Sequence, residues 1–232
     1  VREYYKYLDS WIGKLISLIG KNTQIIVVSD HGAKRMKGAF CINEWLIRQG
    51  YLKLKEKVNK IKRLEEAKID WKNSFAWGWG GYYARIFLNV KGREPQGLID
   101  PNEYEDFRKK LISEISRIKG PNGERWRNRV YRPEDMYPIC RGHPPDLIVY
   151  FDDLYWRSAG TIGYETLYLP ENDIGPDDAV HDYDGIFIFY DPRRVIGREV
   201  DVNILDIAPT ILKLMNIQPP DYMRGELIEE VL

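Results

Sequence analysis

Gln24 to Ser29 constrains the fold more than any other stretch, because Ile25-Ile26-Val27-Val28 is a continuous apolar, β-branched run bounded by turn residues. Such a run is the signature of a buried parallel strand, covered on both faces. Just before it, Leu8, Ile12, Leu15, Ile16 and Ile19 recur at helical spacing and predict one apolar stripe along a helix ending near Gly20. A helix feeding a buried strand points to an α/β fold. Asp146 to Phe151 and Gly185 to Tyr190 are two further strand candidates of the same kind.

Other segments are read from their local chemistry. A short helix over Ile42 to Gln49 ends at Gly50. Lys53 to Lys68 is dominated by charge, with Val58, Ile61 and Leu64 as a thin stripe, and predicts an exposed helix. Ser74 to Tyr83 mixes tryptophan with glycine and reads as a loop entering a strand at Arg85 to Val90. Asp100-Pro101-Asn102-Glu103 has the order of a helix start, and Phe107, Leu111, Ile115 and Ile118 supply its buried stripe before Gly120-Pro121 stops it. Ile207, Ile211, Leu214 and Met215 predict a last helix that tolerates Pro209 as a first-turn residue after Asp206.

Charge and composition narrow the function. Thirty-five Lys and Arg balance thirty-five Asp and Glu, which argues against a nucleic-acid polymer as partner. No apolar run reaches the roughly 18 residues of a membrane helix, so no membrane partner is expected. Cys41 and Cys140 lie far apart and outside any ligand-spaced cluster; they read as reduced packing residues of a cytoplasmic protein. Val1-Arg2-Glu3-Tyr4 carries no initiator Met and enters a helix at once, which suggests a chain cut from something longer.

Only three histidines are present, and two of them adjoin carboxylates. Ser29-Asp30-His31-Gly32 follows the first strand directly, placing an oxygen and a nitrogen donor at its carboxyl end, where open α/β sheets put their ligands. Such donors suit zinc or manganese. Equally, Asp-His-Gly is compatible with a plain strand-ending turn. His181 lies in the acidic run Asp177-Asp178-Ala179-Val180-His181-Asp182-Tyr183-Asp184, just before the third strand, which fits either a cation site or a surface loop. His143, in Gly142-His143-Pro144-Pro145, is read as having no catalytic role.

Order and separation favour the chemical reading. A strand ending in Ser-Asp-His-Gly, then His181 four residues before Gly185-Ile186-Phe187-Ile188, resembles the type I phosphodiesterase and nucleotide pyrophosphatase family of the alkaline phosphatase superfamily. Asp206-Ile207-Ala208-Pro209-Thr210-Ile211-Leu212, followed by Pro219-Pro220 and Met223-Arg224-Gly225, is similar to the closing helix and tail of these enzymes and the sulfatases.

That resemblance implies a three-layer α/β/α sandwich of alkaline phosphatase-like type with a mostly parallel sheet, incomplete in this chain. Residues 1–232 would form the C-terminal portion of one such domain, with 52–141 partly forming an inserted cap. It also implies two divalent metal ions, zinc with manganese as the alternative, Asp30 and His31 ligating one and His181 the other. The implied enzyme hydrolyses phosphodiester or pyrophosphate bonds of a small phosphate ester or nucleotide, through a hydroxyl nucleophile expected upstream of Val1. A sulfatase, phosphonate hydrolase or phosphomutase on the same scaffold, or a non-catalytic domain retaining part of the metal site, are the competing readings.

Overall fold

A computed structural model of the chain describes residues 1–173, 178–195 and 197–232. In chain order the elements are α1 (Arg2–Leu18), β1 (Ile25–Val28), β2 (Gly32–Arg35), β3 (Gly38–Cys41), α2 (Ile42–Arg48), β4 (Ala76–Trp79), β5 (Ala84–Leu88) and α3 (Tyr104–Ser116). They continue with β6 (Arg129–Tyr131), α4 (Pro133–Met136), β7 (Leu147–Tyr150), β8 (Trp156–Ala159), β9 (Tyr168–Leu169), β10 (Ala179–Asp182), β11 (Phe187–Tyr190) and α5 (Ile204–Leu214). The chain divides into two compact units, Val1–Gly32 with Tyr183–Leu232, and Ala33–Asp182.

In the first unit, β1 pairs antiparallel with β11, from Ile25 opposite Tyr190 to Val28 opposite Phe187. Alternation along β11 sends Phe187 and Phe189 inward onto Ile207, Ile228 and Val231, while Ile188 and Tyr190 stay exposed. Asn203 caps α5: its side chain accepts from Leu205 N at 3.0 Å, and Asp206 reaches back to Asn203 N at 2.9 Å. The cap therefore lies three residues before Asp206, which puts Pro209 inside the helix rather than in its first turn. The closing tail docks on α5 through Glu226 N to Asp206 Oδ1 (2.8 Å) and Ile228 N to Thr210 Oγ1 (3.0 Å). Helix α1 ends where its spacing predicts, but none of its residues is buried.

The second unit holds the larger core. Strands β4, β5, β7 and β6 form a four-stranded sheet in that order, antiparallel throughout. Strand β3 pairs parallel with β8 and antiparallel with β9, and β2 pairs with β10. Phe40, Phe151, Trp126 and Trp156 fill the centre, with Phe40 and Phe151 ring centroids 4.7 Å apart and those of Trp126 and Trp156 4.8 Å apart. Leu111 and Ile115 bury the predicted face of α3. Asp100, however, serves a turn before the helix, accepting from Asn102 N at 3.0 Å, and α3 begins only at Tyr104.

Several expectations are corrected. The architecture is mixed α/β, but the described sheets are small and mostly antiparallel rather than one parallel layer of a sandwich. Strands β1, β7 and β11 stand where the apolar runs predict, yet all three pair antiparallel, since an apolar run records how many faces are covered and not the direction of the neighbour. Nor are β1 and β11 fully buried. Lys53 to Lys68 is no helix: Lys55 N bonds Lys68 O (2.8 Å) and Asp70 N bonds Lys53 O (2.9 Å), closing a loop whose one regular turn is the 3-10 segment Leu64–Glu66. Trp77 and Trp79 belong to strand β4 rather than to a loop.

Candidate metal centre

The sequence places Asp30 and His31 just beyond β1, and local bonds hold that bend. Ser29 N donates to Ile186 O at 3.0 Å, and Ile186 N returns a bond to Ser29 Oγ at 2.8 Å, tying the end of β1 to the start of the 186–190 segment. Gly185 is required there, because a Cβ would stand 2.4 Å from Ser29 Oγ. His31 is partly exposed; its Nε2 lies 3.8 Å from Asp30 Oδ1 and its Nδ1 lies 2.8 Å from Gly32 O. A carbonyl only accepts, so Nδ1 carries a proton, and in the neutral ring Nε2, on the side of Asp30, carries the lone pair.

The donor chemistry of this pair fits a divalent ion: one carboxylate oxygen, one imidazole nitrogen with its tautomer set by a backbone carbonyl, and a separation that two ligands of one ion can reach by small rotations. Asp30 also lines a cavity of about 360 Å³ with Asp184, Asp201 and Asn203. Asp201 and Asn203, at the entry to α5, were not singled out by the sequence, which offers no periodicity or motif to mark them.

His181 lies in the second unit, half-buried in β10. Its imidazole stacks on Tyr82, with ring centroids 3.8 Å apart and planes at 27°. The neighbouring Asp182 is paired with Lys34 of β2 at 3.0 Å. Asp177, part of the acidic run before His181, is outside the described residues. His143 is exposed. The structure thus brings Asp30 and His31 together, and among the described residues no group of three or more His, Cys, Asp or Glu side chains gathers into a metal cluster. Cys41 is buried and Cys140 exposed, both as free thiols. Among the described residues no helix is long and apolar enough to cross a membrane.

Tyr82 is another residue that sequence reasoning passed over. It lies near the end of the stretch of tryptophan and glycine read as a loop, and nothing in its neighbourhood along the chain announces a histidine partner so far away.

Comparison with curated proteins finds no match. Residues 1–177, which include Ser29-Asp30-His31-Gly32 and stop just short of His181, match the family described as type I phosphodiesterase / nucleotide pyrophosphatase. With three quarters of its length so matched, the chain belongs to the type I phosphodiesterase / nucleotide pyrophosphatase family.

Proposed function

We infer that this chain serves the metal-dependent hydrolysis of phosphodiester or pyrophosphate bonds, with Asp30 and His31 as ligands of one divalent ion and His181 as a ligand of a second. Membership of the family supports the hydrolase class and small phosphate esters or nucleotides as substrates. The observation that carries the metal assignment is the His31 Nδ1 contact with Gly32 O, which leaves Nε2 as the donor nitrogen facing Asp30. Zinc suits this mixture of nitrogen and oxygen ligands, with manganese second.

When bound, two such ions supply Lewis acidity to an in-line displacement at phosphorus, favouring the ionised attacking hydroxyl and the leaving oxygen. This chain's residues do the holding. Asp30 brings negative charge, Gly32 O fixes the His31 tautomer, and the Ser29 bonds to Ile186 keep the bend from drifting. Under the same reading the chain supplies part of one alkaline phosphatase-like α/β domain, with 52–141 partly forming a cap. The protein acts in the cytoplasm, and the hydroxyl nucleophile is not assigned to any residue of this chain.

The test is zinc titration against a chromophoric chelator, with turnover of bis(p-nitrophenyl) phosphate, p-nitrophenyl phosphate and p-nitrophenyl sulfate measured in parallel. His31→Ala and His181→Ala should each remove one tight zinc equivalent. Unchanged zinc stoichiometry in both variants would falsify the metal assignment, and preference for the sulfate would overturn the phosphodiester reading.

A further inference from the structure

The backbone from Trp79 to Tyr82 is unusually well fastened for a turn between two strands. Gly81 N donates to Ser158 O at 2.8 Å and Ser158 N donates to Gly81 O at 2.9 Å, so the turn lies along β8. Gly80 packs so closely on the segment after β8 that a Cβ would stand 2.3 Å from Gly160 N. Beneath it the fully buried Asn43 side chain bonds both Gly78 and Gly160. A turn held this way presents the next side chain, Tyr82, in a fixed place.

Among the groups on the Tyr82 ring are an imidazole and a guanidinium. The His181 imidazole stacks on it at 3.8 Å between centroids with the planes at 27°, and the guanidinium of Arg157, a residue only 6% exposed, lies 4.5 Å from the same centroid. The consequence for His181 is geometric. The last torsion of a histidine is broad and two-fold, so without a neighbour the ring plane is poorly set. A face-to-face contact at 3.8 Å forbids the perpendicular orientation, which would drive the ring edge into the phenol. Stacking engages a face of the ring, whereas metal bonds form in the ring plane, so the contact with Tyr82 does not itself compete with a metal bond.

We propose that Tyr82 is a positioning residue for His181: its ring, held by Arg157, sets the plane in which the imidazole meets a divalent ion. The inference rests on the reading of His181 as a ligand. Tyr82 acts through His181 and needs no contact with the ion.

The experiment is zinc affinity of the full chain by chelator competition, with the ligand-field spectrum of the cobalt-substituted protein as a second readout. His181→Ala should abolish binding at its site. Tyr82→Ala should weaken that site by about 10–100-fold, the usual effect of losing a group that orients a ligand, and alter the cobalt spectrum. Tyr82→Phe keeps the ring and should bind within about two-fold of the parent. Full loss in Tyr82→Phe, or parental affinity and spectrum in Tyr82→Ala while His181→Ala binds weakly, overturns the positioning role alone. Parental affinity in His181→Ala overturns the metal assignment beneath it.

Discussion

Asn43→Ala is the perturbation whose effect follows most directly from the structure. The side chain is fully buried, donates to Gly78 O at 2.8 Å and Gly160 O at 2.7 Å, and accepts from Gly78 N at 2.8 Å. Truncation leaves two carbonyls and one amide without that partner, and each orphaned buried group costs about 1–3 kcal/mol. The Gly160 bond is only partly buried and water can replace some of it, so the sum falls near the lower part of the range, about 3–5 kcal/mol. For a unit of this size that lowers the melting temperature by roughly 10 °C or more. Six of the seven tryptophans lie in Ala33–Asp182, so indole fluorescence in urea follows this unit selectively. Asn43→Asp should be no better at neutral pH, since it loses both donations and sets a carboxylate against two carbonyl oxygens. A loss below about 1 kcal/mol in Asn43→Ala, with an unchanged urea slope, would refute the claim that this side chain fastens the turn.

Two further outcomes concern titrating groups. Burial, with the charges of Glu44 and Asp173 adding to it, pushes the Cys41 thiol up to about 12, so at pH 8 a disulfide reagent should titrate one thiol per folded chain, the exposed Cys140, and two in denaturant; two fast thiols in the folded chain would contradict this. Asp191 accepts from Arg193 through its backbone and guanidinium and from Gln24 at 3.0 Å, which holds its carboxyl well below the usual carboxylate range. Because the folded state binds the proton less readily than the unfolded one, its stabilisation is complete above about pH 5 and fades as pH falls through the unfolded value of about 3.9 and on toward the folded one. Once exchange is corrected for its intrinsic slowing toward acid, protection of the Phe187–Tyr190 amides should fall across that window in the parent and show a flatter pH dependence in Asp191→Asn; identical profiles would remove Asp191 from the account.

Periodicity made α1, α3 and α5 legible, because Leu111 and Ile115, for example, follow the spacing of one helix face and end up on it. Apolar runs likewise located β1, β7 and β11, while the direction of their partners was invisible, since direction is decided by which distant segment arrives alongside. Strand β4 was hidden by its glycine: Gly78 reads as a loop residue, but a Cβ there would meet Ile42 at 2.9 Å, so the strand needs glycine to lie against α2. Lys53 to Lys68 failed for the opposite reason. Three apolar residues at loosely helical spacing carried the prediction, whereas the bonds between Lys53, Lys55, Lys68 and Asp70 that define the loop involve backbone groups, which side-chain patterns do not record. Asp30 and His31 were legible because the donors are adjacent in the chain. Tyr82 was not, because its meaning comes from a partner in β10.

None of the three candidate ligands is fully buried. The Asp30 side chain is 84% exposed and that of His31 40% exposed, just past the end of a two-stranded ribbon that is itself only half covered. An exposed side chain keeps its rotamer freedom unless a specific polar or ring contact removes it, and freedom of that kind works against the fixed geometry a metal or a reacting phosphate requires. Order at these positions therefore has to come from point contacts: Gly32 O on His31, Ser29 on Ile186, Tyr82 on His181, and Asn43 beneath the turn that carries Tyr82. None of these contacts has a period, and the Asn43 bond to Gly160 joins residues 117 positions apart. It follows that substitutions at Ser29, Asn43, Gly80 or Gly185 should disturb the candidate donors without removing one.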